Sequence, residues 1–227
     1  MLSSQFLVNL KLRTKNLKLH YVMKIAKEGY PFILPAAGLA LLAFAGGWPW
    51  MGWGFALFAL AFLGFFRDPE RIAPTGEGLV VSPADGRVTA IRNLQGEGPR
   101  TRISIFLSPL DVHINRAPVA GKVEEVRYQP GKFFAAYKEE ASESNEHNVV
   151  TLADRQGKRF GVVQIAGVVA RRIVCKTKEG DRLERGQRFG LIRFGSRVDL
   201  YLPDGARVEV TEGQRVTGGE TVIARMV

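Results

Sequence analysis

The distribution of charge divides the chain near residue 67. Residues 32–66 carry no charged side chain, and the sequence Gly-Gly-Trp-Pro-Trp interrupts this run at 46–50. One straight helix over the whole run would be about 52 Å long, against roughly 30 Å of hydrocarbon in a membrane. The glycines and proline favour a turn, and the tryptophans favour the headgroup zone. The pattern predicts a membrane-embedded helical hairpin with arms near 32–47 and 51–66. One tilted span with an interfacial piece is the alternative.

Basic residues flank this run on both sides. Residues 1–31 contain six lysines and arginines against Glu28 alone, and Arg67 and Arg71 follow the second arm. Positive flanks are typical of the cytoplasmic side, so we expect a cell (inner) membrane protein with residues 67–227 on the cytoplasmic face. The second arm argues against a cleaved signal peptide. The basic stretch 5–24 is interpreted as an interfacial helix, as a solvated tail, or as an extension upstream of a natural start at Met23.

After residue 67 the pattern changes to short alternating runs separated by glycine and proline. The predicted strands are Leu79–Ser82, Arg87–Ile91, Arg102–Leu107, Lys122–Tyr128, Asn148–Leu152, Arg159–Ile165, Val168–Lys176, Phe189–Ile192, Arg197–Leu202 and Arg207–Val210. A helical turn around Phe133–Ser144 is the main competitor. We therefore expect residues 67–227 to form a mainly β, antiparallel domain.

A weak internal repeat refines this fold prediction. The Glu-Gly-x-Arg pattern at 179–187 recurs at 212–220, and each copy has the character of a turn that leads into a strand. Two similar hairpin units in a sandwich or half-barrel would explain the repetition.

Net charge and cysteine content limit the kinds of partner and site that the chain can have. The formal net charge is +10, which suits an anionic partner. The uncharged run favours an acidic lipid surface over nucleic acid. Cys175 is the single cysteine, so an intramolecular disulfide and a cysteine-rich metal site are both excluded. Its alternating surroundings are typical of a buried strand residue rather than a catalytic thiol.

Three short motifs could carry chemistry. Gly195-Ser196 lies between two strand-like runs, and Asp85 lies in a Pro-Ala-Asp-Gly turn. Asp111 and His113 are two residues apart, which places them on one face if the backbone is extended. Taken singly, each has a purely structural interpretation: a bulge, an Asx turn and a half-buried polar residue. His113 and His147 are the two histidines of this domain and hence its near-neutral bases.

In their order after a membrane hairpin, these motifs closely resemble those of the short type of phosphatidylserine decarboxylase proenzymes. The resemblance runs from about Met23 to the C-terminus. It includes residues 67–71 (Arg-Asp-Pro-Glu-Arg), 83–86 (Pro-Ala-Asp-Gly), 111–118 (Asp-Val-His-Ile-Asn-Arg-Ala-Pro), 130–133 (Pro-Gly-Lys-Phe), 144–148 (Ser-Asn-Glu-His-Asn) and 194–196 (Phe-Gly-Ser). The ordered set is far more specific than any one of its members.

The resemblance implies that the chain cuts itself between Gly195 and Ser196 and converts Ser196 into a pyruvoyl group. It implies chains 1–195 and 196–227 that stay together as a heterodimer, with any higher oligomer left open. The pyruvoyl group is then the cofactor for decarboxylation of phosphatidylserine to phosphatidylethanolamine, without a metal or pyridoxal phosphate. Phe133 and Phe134 are candidate acyl-chain contacts, with core packing equally compatible.

The sequence departs from the long type of the family at two positions. Where this chain has Arg116, long-type members carry a second histidine, which partners the turn aspartate in maturation. Where this chain has Arg197, they carry a threonine. By position, Asp85 matches the turn aspartate, and Asp111 and His113 match the start of the Asp-x-His motif. The identity of the maturation base is thus open, with His113 first and His147 second.

Two other functions compete. Residues 119–123 and 180–187 resemble hairpins of lipoyl and biotinyl carriers and of membrane-fusion adaptors, which would make the chain a binding module without catalysis. No hairpin-tip lysine and no long heptads are evident in the sequence. A membrane metallopeptidase is disfavoured because the two histidines do not form a zinc-binding pair.

Overall fold

A computed structural model describes residues 24–94, 101–131, 145–167, 172–193 and 196–227. The chain forms two compact units, of which the first ends at Glu70 and the second runs from Arg71 to Val227. The apolar run lies in the first unit, and the alternating runs lie in the second.

The first unit contains the two expected helices. Helix α1 is Tyr30–Ala45 and helix α2 is Pro49–Phe65, joined by a turn in which Gly47 has a φ of 76°. Strands β1, Lys24–Ile25, and β2, Arg67–Asp68, pair antiparallel and bring the two ends of the apolar run together. At about 1.5 Å per residue each helix is roughly 25 Å long, slightly short of the hydrocarbon layer, as the sequence predicts.

Aromatic packing joins the helices to each other. Phe32 stacks on Phe66 with ring centroids 5.6 Å apart, and Phe44 meets Trp53 edge-on at 5.4 Å. A Cβ on Gly52 would lie 2.6 Å from the Phe44 ring, so this close approach requires glycine. Contacts between rings therefore hold the helices against each other.

The outer surface of the helices is apolar. The large exposed side chains include Leu34, Leu41, Leu42, Trp50, Trp53, Leu57, Phe58 and Leu60. Within the described residues, the helical segment Lys27–Ala45 is long and apolar enough to cross a membrane, whereas Pro49–Phe65 is shorter. A patch of this size is typical of a surface that contacts lipid or another protein rather than water.

The second unit is built on an eight-stranded antiparallel sheet that curls into a half-barrel. Its strands, in spatial order, are β11 (Arg182–Leu183), β7 (Gly121–Gln129), β8 (His147–Ala153), β9 (Arg159–Ala166), β13 (Ser196–Leu202), β5 (Thr101–Leu107), β4 (Gly86–Asn93) and β15 (Arg215–Val216). This architecture confirms the mainly β, antiparallel prediction.

Two three-stranded sheets complete the unit. One has the order β10 (Ile173–Cys175), β12 (Arg188–Ile192), β6 (Ile114–Arg116), and the other β14 (Ala206–Val208), β16 (Val222–Met226), β3 (Leu79–Val81). The hydrophobic core combines side chains from one face of the large sheet with those of the small sheets, among them Ile105, Val162, Leu200, Phe189 and Ile223. Alternation along each strand therefore gives the large sheet an inner face, turned to this core, and an outer face.

The sequence repeat corresponds to two similar edges of the large sheet. Strand β11 pairs with β7 at one edge, and β15 pairs with β4 at the other. The Gly180 amide donates to the Val123 carbonyl at 2.9 Å, and the Gly213 amide makes the matching bond to Val88 at 2.8 Å. Each copy thus closes a hairpin, β7–β8 or β4–β5, as predicted for repeated hairpin units.

Some predictions differ from the structure. Strands β6, β11, β15 and β16 are absent from the predicted set, because two to five residues between turns give little alternation. Only Ile173–Cys175 of the predicted strand 168–176 is a strand in the described part. The predicted helical turn at 133–144 and most of the basic stretch 5–24 lie outside the described residues.

Candidate active site

Strand order brings three of the predicted site segments to one end of the large sheet. Strand β13 begins at Ser196, which lies opposite Leu107, the last residue of β5. The stretch that contains Asp111 and His113 follows β5 directly, and Asp85 immediately precedes β4. Strands β13, β5 and β4 are neighbours, with about 4.8 Å between adjacent strands. Ser196 begins β13 and Asp85 precedes β4, and these two strands are therefore roughly 10 Å apart.

Ser196 is buried on the inner face of the sheet. It is fully inaccessible to solvent, as are Val198 and Leu200, which share its face and belong to the core. Its Oγ has no hydrogen-bond partner among the described residues. A buried hydroxyl without a partner is costly and uncommon, so this atom is a candidate for reaction. Gly195 lies outside the described residues.

Asp85 is held in its turn by two donors. The Gly218 amide donates to Oδ1 at 2.7 Å, and Arg71 donates to Oδ2 at 3.0 Å. Burial raises the pKa of Asp85 above the usual range for an aspartate, while Arg71 and the Gly218 amide oppose the rise. The ion pair by itself would lower this pKa, but its strength does not offset the loss of water around the carboxylate.

Gly86 fixes the position of Asp85. Its φ of 147° is in a region that favours glycine, and a Cβ there would collide with the main-chain oxygen of Phe106. The Pro-Ala-Asp-Gly turn therefore presents its carboxylate only because glycine allows the chain to enter β4 against β5.

Asp111 and His113 interact differently from the expectation based on an extended backbone. Residues 109–111 form a turn, in which Asp111 accepts from the Ser108 amide at 2.8 Å and from Arg215 at 3.0 Å. The carboxylate of Asp111 is thus engaged by Ser108 and Arg215, and it is its main-chain oxygen that lies 2.9 Å from His113 Nδ1. Our expectation that the two side chains share one face is therefore replaced by a contact through the backbone.

This contact determines the tautomer of His113. A carbonyl oxygen only accepts, so Nδ1 must carry the proton, and Nε2 is the basic nitrogen of the neutral ring. The side chain is 2 % exposed. His113 is accordingly oriented as a base inside the protein, which fits its place as first candidate.

Arg116 occupies the position of the second histidine of long-type members. The residue is 3 % exposed, and its guanidinium donates to the Gly186 carbonyl at 2.9 Å. Its charge favours the ionised form of Asp85. Because arginine does not lose its proton in proteins, it contributes a fixed positive charge and is unable to act as the base.

His147 lies at the same end of the sheet but on the other face. It is opposite Ile165, which in turn is opposite Arg197, the neighbour of Ser196 in β13. His147 also borders an open cavity on the outer face together with Val149 and Tyr201. The thickness of the sheet therefore separates His147 from Ser196, which favours His113 as the base.

Several contributors to the site were not recognised in the sequence. Arg71 belongs to the 67–71 motif but was not assigned to the site, and Gly218 is 133 residues from Asp85, so only the fold shows that both hold its carboxylate. Phe133 and Phe134, the candidate acyl-chain contacts, lie outside the described residues. Among the described residues, no group of three or more histidine, cysteine, aspartate or glutamate side chains is arranged to hold a metal ion.

The amino-acid sequence is similar to those of known proteins of one family. The family model described as phosphatidylserine decarboxylase matches residues 58–224. A phosphatidylserine decarboxylase proenzyme of Cereibacter sphaeroides is 47% identical over 211 residues, which cover 90% of each chain. A second, from Granulibacter bethesdensis, is 48% identical over 203 residues, covering 86% of this chain and 82% of that protein.

The matched region includes the candidate site residues Asp85, His113 and Ser196, which all fall within residues 58–224. It also extends over most of the length of the relatives, so the likeness is that of whole proteins and not of a shared module. The chain therefore belongs to the phosphatidylserine decarboxylase family.

Proposed function

We propose that this chain is a proenzyme that cuts itself between Gly195 and Ser196 and then decarboxylates phosphatidylserine to phosphatidylethanolamine. The observation that carries the proposal is the buried Ser196 hydroxyl, without a partner in the described part, at the sheet end that Asp85 and His113 also occupy. Membership of a family whose relatives are named as proenzymes supports it.

His113 is the proposed base for the first step. Its Nε2 removes the proton of Ser196 Oγ, and the oxygen attacks the carbonyl carbon of Gly195. The Gly195 carbon then separates from the Ser196 nitrogen, which takes up a proton, so the amide becomes an ester. Glycine at 195 has no Cβ to hinder this attack. Asp85 supplies negative charge that stabilises the positive imidazolium formed at His113.

The second step breaks the bond between Cβ and Oγ of residue 196. A base removes the Cα proton, a Cα–Cβ double bond forms, and Oγ leaves with the electron pair as part of the new carboxylate of Gly195. The dehydroalanine that remains takes up water and releases ammonia, which gives the pyruvoyl end of chain 196–227.

The residues around Ser196 fit such a group. When formed, a pyruvoyl group binds an amine covalently and delocalises the electrons left by loss of CO₂. Leu107 and Ala166, opposite Ser196 on both sides, are fully buried, so apolar side chains flank residue 196. His113, already oriented by the Asp111 carbonyl, is the residue to hold or deliver a proton there. We propose that the reaction needs neither pyridoxal phosphate nor a metal ion.

The apolar unit suggests how substrate is reached. We propose a basic segment 1–31, a membrane hairpin 32–66 and a catalytic domain 67–227 on the cytoplasmic face of the inner membrane. Exposed leucine side chains on both helices and exposed tryptophans on α2 support insertion into lipid. Basic residues beside the hairpin would attract anionic lipids, including phosphatidylserine.

Chemical trapping tests the proposal. Cyanoborohydride added during turnover should attach the substrate amine irreversibly to fragment 196–227 and abolish activity. The Ser196→Ala variant should remain one chain and trap nothing, whereas Ser104→Ala, which changes a buried serine on the outer face of β5, should behave as wild type. A reduced adduct on a lysine, or activity that depends on pyridoxal phosphate or a metal, would contradict the mechanism.

A further inference from the structure

Three buried amide side chains link two sheets beside Ser196. Asn148 in β8 and Gln164 in β9 lie opposite each other on the large sheet, and Asn115 lies in β6 of a small sheet. Asn148 Nδ2 donates to Gln164 Oε1 at 2.9 Å, and Gln164 Nε2 donates to Asn115 Oδ1 at 2.8 Å. All three residues are at most 2 % exposed. They form a continuous line of hydrogen bonds from one sheet to the other.

Gly190 makes room for this line. It lies opposite Asn115 in the pairing of β12 with β6. A Cβ there would lie 2.9 Å from Gln164 Nε2 and would also collide with the carbonyl oxygen of Val174. Any larger residue would displace the Gln164 amide, so the fold leaves space for the side chain that orients Asn115.

The direction of the hydrogen bonds determines which atom Asn115 presents. Each amide donates to the carbonyl of the next, so Asn115 uses its oxygen to accept from Gln164. Its Nδ2 is buried and has no partner among the described residues. A buried donor without a partner is unfavourable, which is a reason to expect an acceptor at some stage of the protein's function.

Gln164, which orients this donor, lies near Ser196. Gln164 is two residues from Ala166, which is directly opposite Ser196, so Gln164 and Ser196 are diagonal neighbours on one face, about 7–8 Å apart. The ladder of β6 and β12 continues to His113, whose carbonyl accepts from the Ile192 amide at 3.3 Å. The extended backbone thus turns His113 and Asn115 toward the same face.

We propose that Asn115 is a catalytic donor in self-processing, whose Nδ2 hydrogen-bonds Oγ of residue 196 while Gln164 and Asn148 act as positioning residues. The inference rests on the proposed self-cleavage. Before the attack, the bond fixes the rotamer of Ser196 and leaves its proton to His113. In the elimination, Oγ leaves carbon with an electron pair, and an N–H donor stabilises the charge that develops on it.

The test is the rate of cleavage of newly purified precursor, followed by denaturing mass spectrometry. Asn115→Asp replaces the donor with an acceptor at nearly constant size, and cleavage should slow by roughly 100-fold, the usual effect of losing one such donor. Gln164→Glu should also slow it strongly, because a carboxylate accepts from both neighbours and turns Nδ2 of Asn115 away from residue 196. Hydroxylamine, which cleaves an ester, should release the large chain from whichever variant stops after the first step.

Controls separate this role from a structural one. Thermal unfolding checks that each variant is folded, and Asn115→Leu removes the donor without burying a charge if the aspartate variant does not fold. Ser104→Ala should be cut at the wild-type rate. A folded Asn115→Asp or Asn115→Leu variant that is cut at the wild-type rate overturns the role of Asn115. A normal rate in Gln164→Glu overturns the positioning by Gln164. A wild-type chain that is never cut instead contradicts the proposed function itself.

Discussion

Leu200 tests whether fragment 196–227 is retained by packing alone. It lies in β13, which pairs with β5 over residues 196–202 and with β9 over 196–201. Its side chain is fully buried in the core. If the chain is cut before Ser196 as proposed, β13 becomes the first strand of a separate polypeptide, which noncovalent contacts hold: those of β13 and the pairing of β15 with β4 and of β16 with β3.

We expect the loss of stability in Leu200→Ala to be near the upper part of the range usual for leucine-to-alanine changes. Leucine-to-alanine changes in cores cost about 2–5 kcal/mol, and more where the cavity cannot collapse. Strands on both sides of β13 are hydrogen-bonded to it and restrain it from moving into the space. A loss of about 4 kcal/mol corresponds to a roughly thousandfold weaker association, since 1.4 kcal/mol is tenfold.

Gel filtration of dilute processed protein, with denaturing mass spectrometry of the fractions, measures this association. Wild type should elute with both chains, and Leu200→Ala should lose the fragment at concentrations where wild type keeps it. In an uncut Ser196→Ala background the same change should lower the free energy of unfolding without releasing anything. Arg207→Ala, at a side chain 70% exposed on the same fragment, is the control. An unchanged free energy of unfolding in Leu200→Ala would refute the reasoning.

Three further predictions concern charge and backbone. Asp199→Leu removes the carboxylate that pairs with the buried Arg197 guanidinium at 2.7 Å, and urea titration should show a loss of about 3–5 kcal/mol in the free energy of unfolding, which adding Arg197→Met should largely restore. Gly86→Ala should slow cleavage by displacing Asp85 and should lower the melting temperature, whereas Gly157→Ala, with a similarly unfavourable positive φ but open space around it, should leave cleavage unchanged. The rate of cleavage should fall as the pH drops through the raised pKa of Asp85, because the negative charge of Asp85 is lost there. Arg71→Gln removes an interaction that lowers this pKa, so the acid limb of the pH–rate profile should move to higher pH. A limb that stays in place, or moves to lower pH, would contradict the assigned role of Asp85.

The elements that the sequence predicts well are those whose own residues determine them. An uncharged run broken by Gly-Gly-Trp-Pro-Trp specifies two helices, and alternating runs such as 197–202 specify strands almost to the residue. The two-residue strands β11 and β15 could not be predicted this way, because they exist only through pairing with β7 and β4.

Contacts within the site depend on register and on distant residues. The sequence leaves His113 and His147 as candidate bases, with His113 first, and only the pairing of β8, β9 and β13 shows that His147 lies on the other face from Ser196. The family motifs include Asp85 and Arg71 but do not indicate that Arg71 and Gly218 hold the Asp85 carboxylate. Asn115 is visible within the Asp-Val-His-Ile-Asn-Arg motif, yet its orientation comes from Gln164, 49 residues away.

The mass of the two chains after denaturation tests the central claim most directly. Self-processing predicts a large chain, 1–195, and a fragment, 196–227, that is lighter by one ammonia than the same fragment beginning with serine and has a blocked N-terminus. Ser196→Ala should give a single uncut chain of 227 residues. An active wild-type protein found as one intact chain, or a fragment that begins with an unmodified serine, would contradict the account.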